Sequence, residues 1–167
     1  YETGYGNSDA EGPDAGHGTH VAGIVGAIRG NDIGMDGVAD NVKIMSIRAV
    51  PDGDEHDKDV ANAIRYAVDN GASIINMSFG KSYSPNKDVV DEAVEYARSK
   101  GVILVHAAGN EFQNTDLKKK YPNKFMQDGT IASNWMEIGA SAYMADRSLA
   151  ASFSNYGKTV VDLFAPG

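Results

Sequence analysis

Residues 72–108 read ASIINMSFGKSYSPNKDVVDEAVEYARSKGVILVHAA, and this stretch decides the fold class. An apolar run at 72–79 has the length of a strand. A polar link leads to 89–100, where Val90, Ala93, Val94 and Ala97 recur at the spacing of one helical face. Gly101 then supplies the residue type that ends a helix in the left-handed conformation. The stretch closes on 102–108, VILVHAA, which is apolar without alternation, as a strand reads when both faces of its sheet are covered. Strand, helix and strand joined by short links predict parallel pairing through a right-handed crossover.

The pattern extends outward. Upstream, 59–70 places Val60, Ala63, Ile64, Ala67 and Val68 on one helical face and is followed by Gly71, while 43–50 (KIMSIRAV) reads as a further strand. Downstream, shorter strands are expected at 135–141 and 159–164, after a polar, lysine-bearing insertion at 111–134. Residues 17–28 (HGTHVAGIVGAI) are small and apolar on nearly every side and suit a helix buried in a larger body, although Gly18, Gly23 and Gly26 weaken it by roughly 1 kcal/mol each. Residues 1–16 read as an irregular lead-in and 30–37 as a turn-rich loop. The expectation is an α/β fold in three layers, a mostly parallel sheet with helices on both faces. Ligands of such sheets bind beyond the carboxyl ends of the strands, here at 51–57, 78–80 and Gly109-Asn110.

Composition removes several function classes. Lys and Arg number 15 against 23 Asp and Glu, a net charge of −8, which argues against a general nucleic-acid binder. With no cysteine there is no disulfide framework, thiolate metal site or cysteine nucleophile. No apolar run approaches the ~18 residues of a membrane helix. His17 and His20 stand three apart with no Glu between them, so they lack the H-E-x-x-H spacing of a helical zinc pair. A metal-dependent hydrolase is therefore disfavoured, and His20 reads as a packing or capping residue. His17 has a glycine on each side and stands at a helix start, which favours a functional role.

Gly16-His17-Gly18-Thr19-His20-Val21-Ala22-Gly23 resembles the histidine motif of the subtilisin-like serine proteases (peptidase S8, the subtilases). The likeness continues in order through Ile33-Gly34, Gly37-Val38-Ala39, 74–80 (IINMSFG), 107–111 (AAGNE), 151–155 (ASFSN) and Ala165-Pro166-Gly167. It implies that His17 is the general base and that Asn110 donates its carboxamide to the oxyanion. Ser78, Phe79 and Gly80 would pair with an extended polypeptide substrate and form one wall of the primary specificity pocket; Ala107, Ala108 and Gly109 would form the other. Phe79 departs from the commoner aliphatic residue and also reads as core.

The same resemblance aligns 51–57, with Gly53 and Asp54, beside substrate residues upstream of the cleaved bond. Asp54 and Glu55 would there favour basic side chains, or else form a solvated acidic loop with Asp57 capping the next helix. Lys120, before Tyr121-Pro122, would stand at the base of the primary pocket and favour an acidic side chain, or belong to a solvated charge run. Gly30-Asn31-Asp32-Ile33 lies near a family calcium loop; calcium is possible in the parent and no cofactor is required. Export is implied for most of the family, although intracellular members exist.

The family triad runs Asp, His, Ser along the chain. A D-[ST]-G context and a G-T-S-M-A context are both absent from these residues. The expectation is that residues 1–167 are part of a peptidase domain without the N-terminal Asp strand and the C-terminal Ser helix, inactive alone. Flanking segments of the same protein would be its partners, and exposed edges could support a dimer. The rival reading is a non-catalytic binding module on the same scaffold.

Overall fold

The computed structural model describes residues 6–12, 14–50, 53–143 and 149–167. The chain forms two bodies, Glu2–Arg48 and Ala49–Gly167.

In Ala49–Gly167, helix α2 (Asp57–Asp69), strand β1 (Ile74–Met77), helix α3 (Lys87–Ser99) and strand β2 (Ile103–Ala107) follow one another, and β3 (Trp135–Ser141) and β4 (Leu163–Pro166) complete the sheet. Sheet order is β1-β2-β3-β4, with every pair parallel. Ile74 lies opposite Ile103, Leu104 opposite Trp135 and Ile138 opposite Leu163. The α/β expectation and the β-α-β crossover hold. Gly71 (φ 85°) and Gly101 (φ 73°) follow the two helices in the left-handed region, as the sequence predicts.

Periodicity located the core. Val60, Ile64, Ala67 and Val68 of α2 and Val90, Ala93, Val94 and Ala97 of α3 are buried. With Met77, Leu104, Ala132 and Trp135, most of them form one cluster between the helices and a single sheet face. The other face differs: Ile74, Ile103 and Leu163 are 62%, 41% and 53% exposed. Burial along β2 therefore alternates although its sequence does not. The described part of this body supplies one of the two expected helical layers.

Two strand readings change. Residues 43–50 join no ladder among the described residues; 43–48 belong to the body Glu2–Arg48, whose other described residues form a helix, turns and bends with no strand to pair with. The last strand begins at Leu163 rather than Thr159, because Asp116 accepts the N–H groups of Lys158, Thr159 and Val160 and holds that segment out of the ladder. The 111–134 insertion is also more than a solvated loop. Thr115, Asn123, Lys124 and Ala132 are buried in it, and Lys124 pairs with Asp162 at 2.6 Å.

In Glu2–Arg48, helix α1 (Gly16–Gly26) forms as read, but none of its residues is buried. The N–H groups of Val38, Ala39 and Gly37 donate to the carbonyls of Ile24, Val25 and Ala27, closing the carboxyl end of the helix. A Cβ on Gly26 would stand 2.7 Å from a Val42 methyl, so this glycine admits a close neighbour. These contacts occupy only the end of α1, which is why its apolar surface stays uncovered within this body.

Candidate active site

The sheet register brings the ends of β1 and β2 level, and the segments that follow them face each other. Ser78, Phe79 and Gly80 after β1, with Ala107, Ala108, Gly109 and Asn110 at the end of β2, line a hollow of about 200 Å³ together with His106, Glu111 and Lys120. A neighbouring hollow of about 230 Å³ shares Ser78 and 106–110 and extends to Ile138 and Pro166. Eight of the residues singled out in the sequence, Lys120 among them, thus meet at the carboxyl rim of the sheet. Phe79 serves both readings: it packs against the core and stands edge-on to His106, ring centroids 6.3 Å apart.

The acidic loop behaves otherwise. Pro51 and Asp52 lie outside the described residues. Gly53 and Asp54 are exposed and line neither hollow. Glu55 is buried, and its carboxylate accepts the Gly80 N–H at 3.0 Å while its carbonyl accepts from Lys81 Nζ. It therefore braces the β1 wall. Asp57 does not cap its own helix, which begins after His56 without a side-chain cap. It accepts instead from Lys81 at 2.7 Å, the Ser84 hydroxyl at 2.8 Å and the Asn86 N–H at 2.8 Å. Burial pushes the Asp57 carboxyl up, but these donors outweigh it and hold the group below its ordinary value.

Asn110 stands exposed at the mouth of the hollow, and its side chain makes no hydrogen bond among the described residues. Beside it, Glu111 accepts from Lys120 Nζ at 2.8 Å and from Asn155. Burial raises the Glu111 carboxyl and these two donors more than offset the rise, so the group lies below its ordinary value. Lys120 does line the hollow, but its charge is already paired.

One cluster was missed in the sequence. His106 and Glu137 are register partners on β2 and β3, each 1% exposed. His106 Nδ1 lies 3.0 Å from both Glu137 oxygens, and Trp135 Nε1 donates to the same carboxylate at 2.8 Å. The signal was present: a His in VILVHAA and a Glu in WMEIGA are each the one ionisable residue of an apolar strand. Buried polar groups of this kind need partners.

His17 lies on the first turn of α1, in the body Glu2–Arg48, and is exposed; His20 is exposed too, so packing does not explain it. In the suggested calcium loop, the Asn31 side-chain oxygen accepts the Ile33 N–H and Asp36 accepts from Gly30. Among the described residues no three His, Asp or Glu side chains gather in a metal-binding group.

The profile of the subtilase family matches residues 1–167. The chain belongs to the subtilase family. Among curated relatives, the thermophilic serine proteinase of Bacillus sp. (strain AK1) is 41% identical over 152 residues, which cover 90% of this chain and 34% of the relative. Thermitase of Thermoactinomyces vulgaris is 36% identical over 153 residues, 91% of this chain and 49% of the relative. This subtilase chain therefore spans between a third and a half of those two relatives. Among solved structures, a protease from Pseudoalteromonas arctica superposes with a TM-score of 0.76 at 32% identity, covering 90% of this chain and 43% of the other. The epidermin leader peptide processing serine protease of Staphylococcus aureus gives a TM-score of 0.73 at 26% identity, covering 90% and 39%.

Proposed function

We propose that this chain is the histidine- and oxyanion-bearing part of a subtilisin-type serine endopeptidase, its triad completed by residues outside these 167. The observation that carries the reading is Asn110: an uncommitted carboxamide at the mouth of a hollow walled by Ser78-Phe79-Gly80 and Ala107-Ala108-Gly109. A polypeptide lying between those walls would present its scissile carbonyl to that amide.

His17 would remove the proton from the serine hydroxyl as it attacks the carbonyl carbon. The carbon–oxygen double bond opens to an oxyanion, which the Asn110 N–H stabilises more than it stabilises the ground-state carbonyl. His17 then gives the proton to the departing amine, leaving an acyl-enzyme that water resolves by the same steps. Proton acceptor and oxyanion donor are side chains, so the chemistry needs no cofactor. Export is compatible with the absence of cysteine.

Specificity follows the geometry. Lys120 is neutralised by Glu111, so an acidic preference at the cleaved residue is not part of the reading. A basic preference upstream would rest on Asp54 alone, since Glu55 is engaged with Gly80.

The test is peptide hydrolysis by the full-length enzyme. Asn110→Leu should lower kcat by about 10²–10³ with little change in KM. His17→Ala should lower kcat on the order of 10⁶, the scale seen when a protease of this type loses its base. Unchanged kcat in Asn110→Leu would overturn the proposal.

A further inference from the structure

Asn155 is 0% exposed and sits beneath the turn that carries Asn110. Its backbone N–H donates to the Gly109 carbonyl at 2.9 Å. Its side-chain Nδ2 donates to the Ala108 carbonyl at 2.7 Å and to Glu111 Oε2 at 2.5 Å. Its Oδ1 accepts the N–H groups of Glu111 at 3.2 Å and Gln113 at 2.8 Å. Only one orientation of the carboxamide satisfies this set, because two acceptors face one end and two donors the other. Asn155 is itself anchored: the Ser154 hydroxyl donates to its carbonyl and accepts the Ala140 N–H of β3, both at 2.9 Å.

The turn is shaped to this clamp. Gly109 has φ +100°, and a Cβ there would lie 2.5 Å from Asn155 Nδ2 and 2.8 Å from Glu111 Oε2. Residues 108, 109, 111 and 113 are all tied to Asn155, while Asn110 between them keeps its side chain free. Such an arrangement fixes a backbone and leaves one amide available.

We infer that Asn155 is a positioning residue, holding the 108–113 turn so that the Asn110 carboxamide is presented to the hollow in one orientation. The inference rests on the peptidase reading for its kinetic consequence and stands without it for the geometry. An oxyanion donor acts through preorganisation, so a turn that wanders spoils kcat rather than substrate binding. No shorter side chain reaches all four partners, and Asp at this position would lose both donors while facing Glu111.

In the full-length enzyme, Asn155→Ala should lower kcat by about 10- to 100-fold with KM changed less than about twofold. In an Asn110→Leu background the same substitution should have almost no further effect on kcat. Asn155→Asp should behave like Asn155→Ala, and adding Glu111→Gln, which returns a donor across the gap, should recover part of the loss. Should Asn155→Ala fail to fold, the Asp and Asp-plus-Gln variants carry the same comparison. Hydrogen exchange at the Glu111 and Gln113 amides should accelerate in Asn155→Ala while the core of β2 stays protected. Unchanged exchange, or an equal fall in kcat with and without Asn110, overturns the inference. Asn110→Leu with undiminished activity sinks the peptidase reading instead, and the exchange experiment then judges the clamp alone.

Discussion

The bodies Ala49–Gly167 and Glu2–Arg48 are held together in opposite ways. The first buries Val94, Ala93, Leu104 and Ala97 to 0% exposure under two amphipathic helices. The second contains the most recognisable motif in the chain, around His17, yet α1 buries nothing, and Ile28, Ile33 and Val38 are 74%, 77% and 78% exposed. Recognisability and packing are separate properties of sequence. The helical periodicities of the first body name their own packing partners. The glycine-rich motif of the second names a chemistry and depends on few contacts of its own. The two bodies should consequently respond very differently to substitution.

The largest effect should come from the buried pair beneath the active rim. Glu137→Ala leaves His106 Nδ1 and Trp135 Nε1 without their acceptor inside the core. Leaving a buried donor without its acceptor costs about 1–3 kcal/mol, and two donors lose theirs here. Thermal unfolding of the variant should show Tm lowered by roughly 10 °C. A loss no bigger than that of an exposed substitution would mean that the interior of the first body is not fixed as its burial indicates.

Much of this was legible in residues 57–107. Apolar positions at helical spacing gave α2 and α3, Gly71 and Gly101 gave their ends, and β1 and β2 followed as the runs between. The converging segments 78–80 and 107–110 were legible because parallel topology forces strand ends to one rim. The failures have physical causes. Residues 43–50 have strand composition, but a strand exists only in a ladder, which composition does not report. The displacement of β4 rests on Asp116, 42 residues before the Lys158 amide it holds, and no local pattern encodes that contact. Glu55 read as part of a solvated acidic loop, Asp57 as a helix cap and Asn155 only as one residue of the 151–155 motif, because a buried carboxylate or amide is identified by its distant partners, not its neighbours.

A second effect, smaller and dependent on pH, should come from Asp57, which is 5% exposed and bonded to Lys81, Ser84 and Asn86. Its folded pKa is depressed, since the donors outweigh the opposing effect of burial. A depressed carboxyl contributes stability that is fully present above the unfolded value, about 4, and is lost as pH falls through the folded one. Asp57→Asn should therefore be less stable than wild type by about 1–3 kcal/mol near neutrality, with the gap closing progressively below pH ~4. Unfolding midpoints measured from pH 7 downward would expose a gap that stays constant, which contradicts the assignment.

The smallest effect should lie in the other body, in an ion pair of the opposite kind. Arg29 Nε and Asp40 Oδ1 are 3.7 Å apart, with side chains 49% and 64% exposed, against 9% and 3% for Lys81 and Asp57. At that exposure water screens most of the attraction, and holding two long side chains in register offsets much of what is left. Asp40→Ala should change stability by less than about 0.5 kcal/mol, and the difference should vanish near 1 M salt, where the Debye length falls to about 3 Å. The Asp57 gap should persist in the same salt, because its partners are inside the protein and ions do not reach them. Salt titration of both variants thus separates pairs that hold the sheet body together from pairs that merely decorate the motif-bearing one. Equal salt sensitivity in the two would erase the distinction between the bodies.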